Sequence, residues 1–533
     1  MQPIGATALG VHDYDAQLGD YSAAAFARAL ERDRAYLAQV DAIDPKALSP
    51  EVALDRTLLA NALHDDLLRN GDLAQWRHNP DFYVNLASNA IFSIIEREYA
   101  PAPQRMEFAI ARERALPKFF ADAETNLTTV DATTAKLAYD DAVGSESFFA
   151  TSVPQAFTGV GDATLRARLA ASNATAKAAL ASYADWIKTH PLAHPSGTYA
   201  IGAKAYSELL KYEEALEVPL GRYLQIGEDA LAATRTQYVA VAKQIDPTKT
   251  PADVQAGLLK VHPTAAALKP TAQRDLIALR AFVIAHHIVT LPADSDITVV
   301  DTPEFERQTT FASMDAPGPL EKVATKAYYN ITPVDPAWDA ARKEQFLGFF
   351  NDYFRPLISA HEVMPGHFVN FVVDKHLPLS LTRRLMYSAS YAEGWAHYDE
   401  QMMVDQGWGN GDPRVRLSQL SGALVRECRF IVGVKEHTQG MTVAAGTDFF
   451  MQNAFMGRGP ASVEALRGTQ DPTYGYYTLG KLELLKLRAD MQKKLGSAYT
   501  LQKFHDAFLA HGDPPIPLLR PLLLGADDDG KVL

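Results

Sequence analysis

The chain has one cysteine, no long apolar run and no block of like charge, and each shortage closes off a class of protein. A single thiol, Cys428, excludes an intramolecular disulfide and any cysteine-rich metal site. Its apolar sequence surroundings predict a buried structural thiol. No stretch reaches the roughly 18 uninterrupted apolar residues of a membrane span. The best candidate, Leu276 to Leu291, is interrupted by Arg280, His286 and His287, so a soluble protein without membrane insertion is expected. Basic residues are in the minority, 51 Lys and Arg against 64 Asp and Glu for a net charge of -13, and basic pairs such as Arg383-Arg384 and Lys493-Lys494 stand isolated. An average surface of that sign repels nucleic acid and anionic membrane. The opening Met1-Gln2-Pro3-Ile4 lacks the charged and apolar regions of a signal peptide, a start that also suits a mature exported chain.

What is present is globular material. With 533 residues, 47% of them hydrophobic and 22% charged, the chain can bury a large core. Its length corresponds to about three or four domains, or to one helical body of two lobes. Apolar residues recur at three and four over Ala23 to Val40, Val52 to Leu68, Glu107 to Phe120, Leu165 to Ile187 and Pro219 to Val241, the spacing of helices packed on helices. No fixed-period repeat or low-complexity tract interrupts them.

One interval differs. Ile297 to Val300, Thr309 to Phe311 and Ala327 to Thr332 are short, rich in β-branched or aromatic residues and bounded by Pro and Asp, which predicts a small sheet of about three strands near 296–332. From Trp338 helices resume, ending with Tyr476 to Lys493 and Leu501 to His511. The predicted class is mainly α with a minor sheet. Three turn-formers in eight residues at His190 to Gly197 suggest a boundary near Pro191 to Pro195, between a helical lobe of residues 1–190 and a second lobe of residues 191–533.

Chemistry concentrates in His361-Glu362-Val363-Met364-Pro365-Gly366-His367, at the end of an apolar, aromatic helix expected to begin near Phe346. Two histidines four residues apart leave one helix face, as zinc peptidases require, with the intervening Glu placed to act on a water at the metal. Here the spacing is six. Six residues turn about 600°, which leaves the second ring roughly 120° away from the first. Pro365, without an amide hydrogen, and Gly366, free of a side chain, must therefore break the helix and loop out the surplus.

A catalytic zinc takes three protein ligands and keeps one position open. Within the expected zinc-binding region of residues 346–405, Glu393, His397 and Glu400 are spaced by four and three on one helix face. Such groups are costly in an apolar helix unless something binds them. Any of the three is a candidate third ligand.

The pattern resembles the bacterial family known as domain of unknown function 885, whose members look like zincin-type zinc peptidases. Its His-Glu-x-x-Pro-Gly-His, Glu-Gly-Trp-Ala and Tyr-x-x-Gly-Lys/Gln-Leu segments, the last followed by an Arg, appear in order as His361 to His367, Glu393 to Ala396 and Tyr477 to Leu482 with Arg488. Weaker echoes run from about Gly197 through Tyr206 to Leu210 and on to Gly512 to Leu519. The resemblance implies a zincin-like helical body of two lobes around a cleft, one Zn2+ per chain on His361, His367 and Glu393, and Glu362 as general base. Family habit also favours a periplasmic or secreted location. Two positions depart from the pattern: Gly433, where the family tends to have Asp, and Phe368, where a further histidine is frequent.

Within this reading Tyr477 is the preferred donor to a developing oxyanion, with Tyr476 beside it. Arg488, eleven residues further on nearly the same helix face, is expected to fork onto a substrate carboxylate. Tyr328, Tyr329 and Asn330 are expected to flank a peptide added to a sheet edge, and His397 and Glu400 to orient a ligating histidine. The expected activity is hydrolysis of short peptides, of exopeptidase or dipeptidyl type. The alternatives are a non-catalytic peptide-binding protein, against which an intact Glu362 argues, and a zinc hydrolase acting on a non-peptide amide.

Overall fold

The computed structural model describes residues 2–303, 307 and 310–533. The chain is mainly helical with one three-stranded sheet. Helices Ala23–Asp41, Pro50–Leu67, Ala102–Asn126, Ala163–Thr189 and Leu220–Ile245 fall on the five expected windows. Their starts follow local chemistry: the Ser22 and Asp162 side chains accept from the amides of Ala25 and Leu165 and so cap otherwise unpaired donors. Among the described residues no helix is long and apolar enough to cross a membrane.

Two compact units are formed. The first comprises Met1–Ile43, Leu63–Ile201 and Pro317–Lys326, the second Asp44–Ala62, Gly202–Ala316 and Ala327–Leu533. The turns at Pro191 to Pro195 lie inside the first unit, and each half of the sequence lends the other a short segment. Compactness follows side-chain packing rather than chain order. In the first unit Phe119 meets Tyr83 edge-on at 5.6 Å and Phe120 stacks on Tyr183 at 4.6 Å. The segment Pro317–Lys326 is tied in by His12, whose ring lies between Asp15 at 3.0 Å and Glu321 at 2.8 Å and stacks on Tyr99.

The second unit contains the sheet: β1 (Thr298–Asp301), β2 (Ala312–Asp315) and β3 (Tyr328–Ile331), in the order β1-β3-β2. Thr298 pairs with Tyr328 in the parallel ladder, and Met314 with Tyr329 in the antiparallel one. Of the strand expected over Thr309 to Phe311, Thr309 lies outside the described residues, and the observed strand starts at Ala312. The Phe311 ring instead stacks on Phe349 at 4.3 Å.

The helix expected to run from near Phe346 to His361 is two helices. Ala340–Phe349 stops, the Asn351 carboxamide oxygen accepts from the amides of Tyr353 at 3.2 Å and Phe354 at 3.1 Å, and Pro356 opens the next helix. An Asx turn followed by proline overrides the apolar pattern. Six helices carry the site and are labelled α1 (Arg355–Glu362), α2 (His367–His376), α3 (Ala389–Asp405), α4 (Pro413–Thr438), α5 (Arg458–Gly468) and α6 (Tyr476–Leu495). Cys428 on α4 is buried, as expected, and burial raises its thiol pKa well above the ordinary value.

Candidate metal centre

The break between α1 and α2 decides the geometry. After Glu362 the chain doubles back: the amides of Val363 and Met364 both reach the Ser359 carbonyl, at 3.0 and 3.2 Å, and that of Gly366 reaches Ala360 at 2.9 Å. The Met364–Pro365 peptide is cis. Gly366 is required by space: a Cβ there would sit 1.8 Å from the His361 carbonyl oxygen. Trp395 of α3, fully buried, donates its indole N–H to the Pro365 carbonyl at 3.1 Å and pins the loop. The two surplus residues are thus looped out, and His367 opens a new helix with its ring 4.8 Å from that of His361.

Of the three candidate third ligands, α3 brings Glu393 to the pair. Donor atoms of His361, His367 and Glu393 all lie within 4.8 Å of one another. The Glu393 Oε2 atom is 3.3 Å from His361 Nε2 and 3.5 Å from His367 Nε2, yet it is buried without a well-directed hydrogen bond. Two ring nitrogens and a carboxylate oxygen that converge without bonding one another form a donor set suited to a tetrahedral cation with an open position. Glu400 stands behind it: one oxygen lies 2.8 Å from His361 Nδ1 and 2.8 Å from Arg426 Nη2, the other 3.4 Å from His397 Nδ1. His397 therefore reaches Glu400, and its Nε2 has no hydrogen-bond partner.

The electrostatics follow from burial and pairing. Burial opposes the charged form of His361, but Glu393 and Glu400 outweigh it and hold the ring at about 10. Burial likewise penalises the Glu393 and Glu400 carboxylates. The histidines pull the first well below its ordinary value, and Arg426, His397 and His361 do so for the second. Burial, helped by the Lys481 and Arg426 charges, drives the His397 pKa well down, and burial, helped by the Glu400 charge, drives that of Asp399 well up.

Glu362, at the last turn of α1, accepts from the Met314 amide of β2 at 2.8 Å. Tyr477 is delivered to the cluster by the crossing of α3 and α6. That crossing is backbone on backbone: a Cβ on Gly480 would lie 1.7 Å from the Ser390 carbonyl oxygen, and one on Gly394 2.5 Å from the Gly480 backbone. The Tyr477 ring lies 6.5 Å from that of His361, with the guanidinium groups of Arg426 and Arg429 at 5.4 and 5.1 Å. Burial, then the Glu393 charge, raises its phenol pKa.

Three expectations fail. Tyr329 is fully buried on the central strand and hydrogen-bonds Ser359 at 3.1 Å, so neither it nor its neighbours on β3 can flank an added peptide; the edge beside Glu362 is β2. Arg488 donates to the hydroxyls of Tyr398 at 3.0 Å and Tyr499 at 3.3 Å, because eleven residues carry it about 16 Å along the helix axis from Tyr477. The Tyr476 hydroxyl is engaged by Asp471 and Arg467 at 3.1 and 3.2 Å. Gly433 accommodates the approach of the Pro472 carbonyl, which a Cβ would meet at 2.7 Å, and Phe368 is buried core.

Sequence reasoning missed Arg426, Arg429 and Tyr387. The arginines carried a signal: together with Glu427 they are the charged residues in the otherwise apolar or small Ala423 to Val434, where charges are costly unless paired. Tyr387 carried none. Desolvation, then the charges of Glu393 and Asp513, raises its phenol pKa.

Fold and site together define a mainly helical protein with a partly buried His-His-Glu cluster, flanked by a carboxylate and a tyrosine. The chain belongs to the family described as bacterial protein of unknown function (DUF885), whose profile matches residues 3–523. Among solved structures it is similar to a protein of Shewanella oneidensis, provisionally described as a lipoprotein of unknown function, at 23% identity and a TM-score of 0.84 over 98% of this chain and 96% of that one. A protein of Colwellia psychrerythraea, also provisionally described as a lipoprotein, matches at 16% identity and a TM-score of 0.80 over 99% and 96%. These likenesses show a common fold. No curated protein matches.

Proposed function

We propose that this chain is a zinc-dependent peptidase of the zincin type acting on short peptides. The observation that carries the reading is the buried Glu393 oxygen held between two histidine nitrogens without a hydrogen bond of its own. A zinc ion on His361, His367 and Glu393 would supply Lewis acidity, polarising water and a substrate carbonyl at neutral pH. Every other task falls to side chains. Glu362, fixed by the Met314 amide, takes the proton from the attacking water and returns it to the leaving amine. Tyr477 remains protonated through burial and donates to the oxyanion that forms. Glu400 holds the His361 ring in one orientation.

Strand β2 supports the choice of a peptide substrate. It is an edge strand, and its Met314 amide points away from β3 to Glu362. By the alternation of antiparallel pairs, Ala312 also turns its main-chain groups outward; its carbonyl accepts from the Thr310 hydroxyl at 2.8 Å, and its amide is the group with which an extended chain can pair. An extracytoplasmic location fits the description of both solved relatives as lipoproteins.

The test is metal content of the purified protein by elemental analysis, with hydrolysis of a mixed short-peptide library before and after a chelator. About one zinc per chain and chelator-sensitive cleavage are expected, with Glu362→Gln keeping the zinc and losing turnover. Zinc without cleavage would overturn the peptide substrate, absence of zinc the ligand set, and near-normal turnover of the variant the general-base role.

A further inference from the structure

Three arginines surround Tyr477, and their commitments differ. Arg426 bonds Glu400 at 2.8 Å. Arg429 grips Glu464 with two bonds of 2.7 and 2.8 Å. Arg467, in the last turn of α5, has its nearest carboxylate, Asp471, 3.9 Å away and keeps 40% of its side chain exposed. It donates to the Tyr476 hydroxyl at 3.2 Å, and its charge acts on the neighbouring Tyr477 phenol. Tyr476 and Tyr477 pack with ring centroids 4.8 Å apart, which fixes the guanidinium beside the residue that faces the metal cluster.

The backbone holds this arrangement in place. Gly468, just past Arg467, lies against Glu436 and Tyr474, and Gly475 against Phe430, so that a Cβ at either would clash at 2.4 and 2.8 Å. The turn joining α5 to α6 is thereby laid directly on α4, and Arg467 is held as firmly as the helix ends. A guanidinium that is 40% exposed, repelled by Arg429 and paired with Asp471 only at the long distance of 3.9 Å, is a fork that an incoming carboxylate can engage.

The geometry points to Arg467 as the positioning residue that captures the terminal carboxylate of a peptide, making the site a carboxy-terminal exopeptidase. This rests on the peptidase reading and assigns to Arg467 the role that the sequence suggests for Arg488. The path from the His361 ring through Tyr477 to the Arg467 guanidinium is on the order of 10 Å, which an extended peptide covers in two or three residues. Cleavage therefore releases two or three residues from the carboxyl end. Arg426 and Arg429 contribute field rather than contacts, since each is already bonded to a carboxylate.

The test uses the full chain carrying Glu362→Gln, with zinc added, so that binding is read without turnover. Calorimetric titration compares trialanine with a free carboxylate against trialanine amide, before and after Arg467→Gln and Arg467→Lys. The free acid is expected to bind about tenfold to a hundredfold more tightly than the amide. Arg467→Gln should erase the difference and Arg467→Lys restore part of it, with no change in the amide's affinity. A purely structural Arg467 would shift both ligands together. Equal binding of acid and amide, binding of neither, or discrimination that survives Arg467→Gln would each overturn the assignment. Discrimination in a protein whose unmutated form cleaves nothing would uphold Arg467 and sink the peptidase reading, so the two failures are separable.

Discussion

Replacing Gly480 with alanine tests the claim that the site is aimed by a glycine contact between α3 and α6. The new Cβ would sit 1.7 Å from the Ser390 carbonyl oxygen, whereas an ordinary contact needs 3.4 Å or more. Neither neighbour is a side chain that can swing aside, so the helices must part by about 1.7 Å, far beyond the roughly 0.2 Å tolerance of metal donors. Glu393 adjoins Gly394 at the crossing and Tyr477 lies one turn before Gly480, so both move with it. Overpacking of this kind costs about 1–3 kcal/mol, and rigid backbone on both sides places Gly480→Ala at the upper end. The assay is urea unfolding with chelator present, then zinc affinity by competition. A lower midpoint and at least about tenfold weaker zinc binding are expected. Gly144→Ala, in a helix with nothing within 4 Å of the added carbon, is the control and should gain up to about 1 kcal/mol. Gly480→Ala with an unchanged midpoint and unchanged zinc affinity would refute the reasoning.

Glu400→Gln removes the charge that orients His361 and leaves Arg426 buried without its carboxylate, so zinc affinity should fall about 10–100-fold; a competition assay showing less than a twofold change would exclude that support. In the first unit Glu113 is fully buried, and burial holds its pKa at about 7 against the usual 4.5 despite hydrogen bonds from Ser172 and Asn173. The folded protein therefore keeps a proton that the unfolded chain has lost between these values, and stability falls as pH rises through that window. Glu113→Gln should match the wild type at pH 4 and exceed it by up to about 3 kcal/mol at pH 8, and an advantage equal at both pH values would be incompatible with a buried neutral Glu113.

The expected helix windows and the Pro-Gly break are present in the structure because both rest on local physics: apolar spacing over ten or more residues, and a missing amide at a fixed position. Tertiary arrangement was less accessible. Nothing in three short apolar runs says that the last in sequence lies in the middle of the sheet, and so Tyr329 was placed at an edge when it is core. The Arg488 expectation used rotation about the helix and neglected translation along it. The unit boundaries were unreadable because two segments, Asp44–Ala62 and Pro317–Lys326, pack away from their sequence neighbours. Arg467 lies in no motif, and only the fold of the α5 to α6 turn brings it beside Tyr477.

Each motif segment joins its chemical residues to a glycine that serves packing. In the first, Gly366 lets the loop close on the His361 carbonyl; in the second and third, Gly394 and Gly480 let α3 and α6 touch so that Glu393 and Tyr477 face the same spot. Much of what makes the segments recognisable is therefore the requirement for close approach, which a protein retaining only the scaffold would share. The residue that separates an enzyme from such a scaffold is Glu362, whose carboxylate accepts from the Met314 backbone amide and can be replaced by glutamine without losing an acceptor there. Its substitution is consequently the cleanest division between an enzyme and a metal-binding scaffold, since it removes the base and leaves the ligands, the loop and the glycine crossing in place.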